Sequence, residues 1–335
     1  VVTVMREFKA QLLAQEASQM QQMAKRWIEV EQSLDAYISA LVQEIDEKRR
    51  LGQPVSESQI FQLRRYQELL RQAEVQFAQY VAWADEEIVR QQGRLARLGL
   101  DHAAQAIQAS YWPSMGVAFD RLSVEAVEIM IGLAGNGAPI GELLRLRMLR
   151  DANGQPLPGV WSRLTRTLIE STAIGRNPRQ TARMMRNDLA GGLNKALVIA
   201  RTEQLRVYRM AATQQYRDSG VVRGHKRLSA HDGRVCAACL ADEGTVYSID
   251  EVIPDHPQGR CTGVPIVKGM PGVNWLSGEN WLKAQPADTQ RQILGGSRWD
   301  VWQEGAFAFS ALVTHTHSSE WGGGVTPTPL SQLVN

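Results

Sequence analysis

The sequence predicts a mainly α-helical chain with one small α+β lobe in its second half, and three observations carry that prediction. Apolar residues recur every seven positions through most of the first 110 residues. From 111 to 220 the chain is cut by Gly, Pro and Asn into segments of helix length. After Gly220 the pattern changes to short β-branched runs, and all three cysteines of the 335 residues fall within 26 positions of that region. A length of 335 residues and 44% hydrophobic content are enough for two or three domains with cores of their own.

The first element is a helix whose stripe runs Leu13, Met20, Trp27, Leu34 and Leu41, with Met23, Val30 and Tyr37 between them, uninterrupted until Gly52-Gln53-Pro54. The stripe resumes as Leu63, Leu70, Phe77 and Ala84 beside Tyr66, Ala73 and Tyr80, entered through a Ser56/Ser58 capping region. Two such helices joined by a short polar turn predict an antiparallel hairpin over 1–110, each arm about 60 Å long. A hairpin buries one stripe per helix. Phe8, Ile38, Val81 and Ile88 are then left over, and the arm is expected to dock onto another subunit through them.

A central helical domain follows over 111–220. Trp112-Pro113 breaks the arm, a helix runs from Ser123 to Ile131, and Gly135-Asn136-Gly137-Ala138-Pro139 turns the chain. One helix is expected over 157–174, a second is capped by Asn177-Pro178, and Gly191-Gly192 separates it from a last one over 193–218. That last helix holds Ala200-Arg201-Thr202-Glu203. Residues two apart on a helix do not face each other, so Arg201 and Glu203 are read as structural groups bonding to neighbouring elements rather than as a catalytic pair.

Runs at 221–228, 245–249 and 262–267 have strand length and predict a small antiparallel sheet in a lobe over 221–268. His231 and Asp232 form a polar hairpin tip, with Asp232 read as structural. Cys236-Ala-Ala-Cys239, sixteen residues, His256, four residues and Cys261 have the spacing of a closed zinc site of three sulfurs and one nitrogen. Four protein ligands leave no position for a reactive water, so the ion is expected to fasten the lobe rather than to catalyse. Three cysteines in one cluster indicate a reducing compartment, and the His-x-Glu that precedes Cys-x-x-Cys in zinc deaminases is missing. The Asp255-His256-Pro257 run lacks the further ligands a metal-finger nuclease needs. Residues 269–313 read as a Trp-rich helical segment (Trp275, Trp281, Trp299, Trp302), and 314–335, with His315 and His317, as a flexible tail.

Charge is uneven although the net value is only +2. From Arg145 to Arg209 there are thirteen Lys/Arg against four Asp/Glu, whereas 1–110 carries thirteen against fifteen. Solvated helix faces account for this, with nonspecific DNA contact as the functional counterpart. No apolar run approaches a membrane span and no signal-peptide core opens the sequence, so a soluble protein made in the cytoplasm is expected.

Several of these motifs, taken together, resemble the phage Mu protein F-like minor head proteins. The resemblance rests on Ile199-Ala200-Arg201-Thr202-Glu203, Tyr208 and Tyr216, then Leu228-Ser229-Ala230-His231-Asp232-Gly233-Arg234-Val235 leading into the Cys turn, then Asp255-His256-Pro257-Gln258-Gly259-Arg260-Cys261. Trp281-Leu282-Lys283-Ala284-Gln285-Pro286, Gln290 and Ile293-Leu294-Gly295 extend it, so that it covers about 115–305. It implies a non-enzymatic minor capsid component of a tailed phage or prophage, located in the capsid interior or at the portal vertex of the virion. Its partners would be portal, capsid or scaffold proteins. Many members of the family carry a second Cys where this chain has Gly259, which leaves Cys236, Cys239, His256 and Cys261 as the full ligand set. Two alternatives belong to other classes. One is the delivery part of a phage-derived polymorphic toxin, against which stands a tail of about thirty residues, too short for a folded effector. The other is a zinc-containing DNA-binding or nuclease module, which a steep salt dependence of DNA binding would distinguish.

Overall fold

The computed structural model describes residues 1–53, 55–111, 124–148, 158–318 and 321–334. It is mainly helical, with a small antiparallel sheet. The Trp112-Pro113 break, Ser123 and Pro54 lie outside the described residues. Helix α1 covers Val2–Arg50, α2 Glu57–Gln62, α3 Arg64–Ser110, α4 Ile140–Met148, α5 Pro158–Ala173 and α6 Pro178–Asp218, with a 3₁₀ segment at Val124–Met130. Two compact units are formed, Val1–Gln15 with Arg90–Gly137 and Arg201–Asn335 in one, Glu16–Val89 with Ala138–Ala200 in the other. Helices α1, α3 and α6 contribute to both.

In the second unit α1 and α3 run antiparallel, because contact partners descend along one as they ascend along the other. Tyr80 Oη donates to Met23 O at 3.3 Å, Trp27 stacks on Phe77 with centroids 5.2 Å apart, and Arg65 Nη1 donates to Ala40 O at 2.8 Å. The heptad residues Met20, Met23, Trp27, Val30, Leu34 and Leu41 are buried, as are Tyr66, Ala73, Phe77, Tyr80 and Ala84. The turn between them closes as its chemistry demands. Ser56 accepts from the Gln59 N–H while the Gln59 side chain accepts from the Ser56 N–H, a capping box that starts α2. One expectation is corrected. Phe8, Ile38, Val81 and Ile88 are all buried within the chain itself, because more helices pack here than the two of a hairpin, so no surplus apolar face remains at those residues for a docking partner.

A second correction concerns Gly191-Gly192, which does not end a helix: α6 runs through both without interruption. The pair answers a packing need. A Cβ on Gly192 would lie 2.7 Å from Cη2 of the buried Trp27, while one on Gly191 would meet only the guanidinium of Arg163, a side chain exposed and free to move. Close helix contact, rather than helix termination, is what this glycine provides.

In the first unit a three-stranded antiparallel sheet has the order β2-β1-β3, with β1 at Val222–Leu228, β2 at Val246–Ser248 and β3 at Thr262–Val267. His225 stands opposite Tyr247 on one side and Pro265 on the other. Short helices α7 (Ala237–Ala241), α8 (Gly278–Lys283), α9 (Ala287–Leu294) and α10 (Gly296–Gln303) follow. Residues 314–335, expected as a flexible tail, instead form an antiparallel hairpin, β4 (Val313–Ser318) with β5 (Gly322–Pro327), and a last turn α11 at Leu330–Leu333. Val325 and Leu333 are buried in one cluster with Cys239, Leu240, Cys261, Leu282, Leu294, Trp302, Phe309 and Leu312. The hairpin is held by strand pairing and two apolar anchors, so it has no alternating stripe to betray it.

His102 on α3 illustrates how polar groups are buried in this unit. Its ring stacks on Phe8 at 3.9 Å, Nδ1 accepts from the Tyr208 hydroxyl at 2.9 Å, and Nε2 donates to Gln11 Oε1 at 3.0 Å. Burial, partly opposed by Asp101, lowers its pKa to about 4.

Two measurements check this packing. Gly191→Ala should raise stability by about 0.5–1 kcal/mol through helix propensity, whereas Gly192→Ala should lower it by about 1–3 kcal/mol through overpacking against Trp27, both read from denaturant unfolding; equal effects would remove the close-contact account. Because folded His102 takes up its proton only near pH 4 while an unfolded histidine does so near 6.5, stability should be complete above pH 6.5 and fall as pH drops toward 4, by up to about 3 kcal/mol. His102→Gln should flatten that part of the profile.

Candidate metal centre

The cluster is assembled by four segments of the first unit. Cys236 caps α7 and Cys239 lies one turn on, which turns both sulfurs toward the same side. Cys261 immediately precedes β3, and the loop before it carries Asp255 and His256. Cys239 and Cys261 are buried, and Cys236 is half-buried. Ligand atoms of Cys236, Cys239 and His256 lie within 4.8 Å of one another, and so do those of Cys239, Asp255 and Cys261. The two triads share Cys239. Thus all four residues expected as ligands meet, with Cys261 joined to the others through Cys239, and Asp255 appears as a fifth member.

The loop is fixed from α6. Arg201 Nη1 donates to Gln258 Oε1 at 2.7 Å, and Thr202 Oγ1 accepts from the Gln258 N–H at 3.0 Å, holding Gln258 at a positive φ of 65°. Arg209 Nη1 reaches Gly259 O at 3.2 Å and Asp255 Oδ2 at 3.4 Å. Glu203, fully buried, accepts from the Gly135 N–H at 3.0 Å and from Arg206 Nε at 2.7 Å. Asp232 accepts from both Nη1 and Nη2 of Arg260, at 2.5 and 2.8 Å. Arg201, Glu203 and Asp232 therefore stand on separate contacts, away from the sulfurs. His231, beside Asp232 in sequence, instead meets Glu243 Oε2 through Nε2 at 2.6 Å.

Sequence reasoning missed Arg227. Its side chain, without exposed surface, extends from β1 to Asp242 at 3.2 Å, Asp255 at 3.3 Å, Cys239 Sγ at 3.4 Å, Cys261 Sγ at 3.2 Å and Pro254 O at 2.5 Å. Burial works against its charge, but Cys261, Asp255, Cys239 and Asp242 together more than offset that and raise its pKa. Nothing in the strand sequence distinguishes Arg227 from the exposed Arg223. Asp255 was visible only as part of the Asp-His-Pro run.

Whether these residues suit a metal ion can be judged from their donors and charges. A tetrahedron of about 2.3 Å metal–sulfur bonds has edges of about 3.8 Å, which the triads can reach with small shifts. His256 Nδ1 donates to Pro257 O at 2.8 Å, leaving Nε2 as the free donor atom, the usual outer-shell arrangement for a metal-binding histidine. The Cys239 hydrogen bond holds Cys236 down at about 4 against the effect of burial, with His256 assisting. Burial opposes the charge on His256, yet Cys236 and Asp255 raise it to about 9. Cys239 is pushed up by its two cysteine neighbours and by burial. A buried guanidinium donating to two sulfurs asks for negative sulfur. The cluster can hold a metal ion. Asp255 is less suited as a ligand, since its oxygens already accept from Arg227, Arg209 and the N–H groups of His256 and Cys261.

Fold and site define a mainly helical protein with a small β lobe built around a Cys/His cluster. Residues 162–264 match the family model described as phage Mu protein F like protein, from within α5 into β3 and across the whole cluster, which supports the resemblance read from the motifs. Comparisons with curated proteins and with solved structures found no match.

Elemental analysis should find one divalent ion per chain, and chelation should lower the thermal midpoint of the chain; metal-free protein of unchanged midpoint would remove the role assigned to the ion. Arg227→Leu should destabilise the folded chain by about 3–5 kcal/mol, because Asp242 and Asp255 lose their buried counter-charge.

Proposed function

We propose that the chain is a head morphogenesis protein of a tailed phage or prophage, a minor structural component of the virion that contacts portal, capsid or scaffold proteins during assembly. The observation that carries this reading is the family match over 162–264, which spans the entire metal cluster. In this reading the ion is zinc, held by Cys236, Cys239, His256 and Cys261, and it acts as a clasp. Three sulfurs and an imidazole suit zinc, and a filled coordination sphere offers substrate no position. The chain is accordingly read as a non-enzyme. Its place is the capsid interior or the portal vertex.

A second contact is supported by charge. In the second unit the Lys195 ammonium is lowered by burial and by the nearby Arg163 and Arg147, a crowding of cations that a polyanion would relieve. Nonspecific contact with packaged DNA fits, since phosphate contacts need no sequence.

The full chain mixed with portal rings or proheads of its own phage should sediment with them in fixed stoichiometry; failure to co-sediment with either would refute the assembly role. DNA affinity should fall steeply with salt, and Arg163→Gln with Lys195→Gln should reduce that slope by about 1–2 phosphate contacts. A flat salt response would dismiss DNA contact while leaving portal binding intact.

A further inference from the structure

Apart from the cluster, the first unit contains a pocket of about 550 Å³, within the volume range of small-ligand sites. Arg6 and Lys9, one turn apart on α1, stand on its wall, together with Leu13, His231, Leu276 and Trp281. No carboxylate is among the lining residues. The wall is therefore cationic in one part and apolar in another. On the apolar part the Trp281 indole lies flat on the His231 ring, with centroids 5.0 Å apart and planes 9° from parallel. The half-exposed Leu276 belongs to the same wall.

Two polar groups of this wall have no partner in the protein. Lys9 Nζ and His231 Nδ1 are both buried and make no hydrogen bond. The anionic groups that act on Lys9 through space are Cys261, Asp232 and Glu243, and each is engaged elsewhere. Cys261 accepts from Arg227, and Asp232 from both Nη groups of Arg260. Glu243 accepts from Ser229 Oγ at 2.8 Å, His231 Nε2 at 2.6 Å and Trp275 Nε1 at 2.8 Å. A buried ammonium without a hydrogen-bonded counter-charge is uncommon, since such groups are normally paired. Here it borders a cavity large enough to admit the missing anion.

We propose that this pocket binds a small organic carboxylate, its carboxylate directed to Arg6 and Lys9 and its compact aromatic or aliphatic body laid against Trp281 and Leu13. The charged pair orients the ligand, and the indole–imidazole stack supplies a flat face for its apolar part. The metal cluster takes no part in the contact, and the assembly role neither requires nor excludes it.

The proposal is tested by calorimetric titration of the full, metal-loaded chain with 2-naphthoate and with its neutral counterpart 2-naphthalenemethanol. One site is expected, at which the acid binds at least tenfold more tightly than the alcohol. Arg6→Gln, at an exposed position, should weaken the acid several-fold and leave the alcohol unchanged. Lys9→Met, which keeps the length of the side chain, should reduce the acid to the level of the alcohol, and Ala10→Phe should exclude both. Equal affinity for acid and alcohol, no heat at millimolar probe, or acid binding untouched by Arg6→Gln would each overturn the proposal. Thermal unfolding and metal content are measured on every variant. A misfolded Lys9→Met protein leaves the decision to Arg6→Gln and the acid–alcohol comparison. Portal co-sedimentation is read separately, so failure here and failure of the assembly role are told apart.

Discussion

The constraint on which the β lobe depends is the charge of Arg227. With no exposed surface the guanidinium has no water to solvate it, and an uncompensated charge in such a place is prohibitive. Compensation comes from Asp242 after α7, Asp255 in the loop, the sulfurs of Cys239 and Cys261, and the carbonyl of Pro254. Satisfying one side chain thus brings β1, α7, the loop and the start of β3 together. Asp255 passes the requirement on to α6, because its second oxygen meets Arg209. Charge balance then bears on the ion. Three thiolates with Asp242 and Asp255 far outnumber Arg227 and Arg209, and a divalent cation nearly restores neutrality.

A clasp of this kind is needed because the sheet is small. Strands of seven, three and six residues bury little apolar surface by themselves. The apolar cluster around Cys239 and Cys261 grows by recruiting later segments, with Leu282 of α8, Leu294 of α9, Trp302 of α10, and Val325 and Leu333 from the C-terminal hairpin. The sulfurs are therefore members of the hydrophobic core on one side and of a polar network on the other. Losing the ion would leave repelling thiolates inside that core, so metal binding and core packing are expected to be lost together.

How much of this could be read from the residues depends on the range of the interaction. The heptad stripe of α1 and α3, the capping box at Ser56 and the three strands were legible because each is local: a period, a side chain reaching three residues along, a β-branched run. The four cysteine and histidine positions were legible because metal ligands come in characteristic spacings. Gly191-Gly192 was misread because a glycine needed for contact with Trp27, far away in sequence, looks the same as one that ends a helix. Phe8, Ile38, Val81 and Ile88 were assigned to a partner because counting two helices underestimates how many surfaces the chain itself brings to them. The β4–β5 hairpin was missed because its strands, Val-Thr-His-Thr-His-Ser and Gly-Gly-Gly-Val-Thr-Pro, have neither alternation nor apolar density. Arg227 had no local signal at all.

Gly259 shows how the site limits its own chemistry. A Cβ at this position would lie 2.0 Å from the Asp255 carboxyl carbon, so in this arrangement position 259 cannot carry a further ligand. The loop must come this close because Asp255 accepts from the Cys261 N–H at 3.1 Å and Arg209 holds the Gly259 carbonyl. Asp255, spent on two arginines and two backbone N–H groups, serves as counter-charge and leaves the fourth place to His256. A site whose spare positions are filled by its own loop, and whose only free carboxylate is neutralised by arginine, has neither a general base nor an open place for water. Such a centre is suited to holding chain segments in register, which is the role a head-assembly component asks of it.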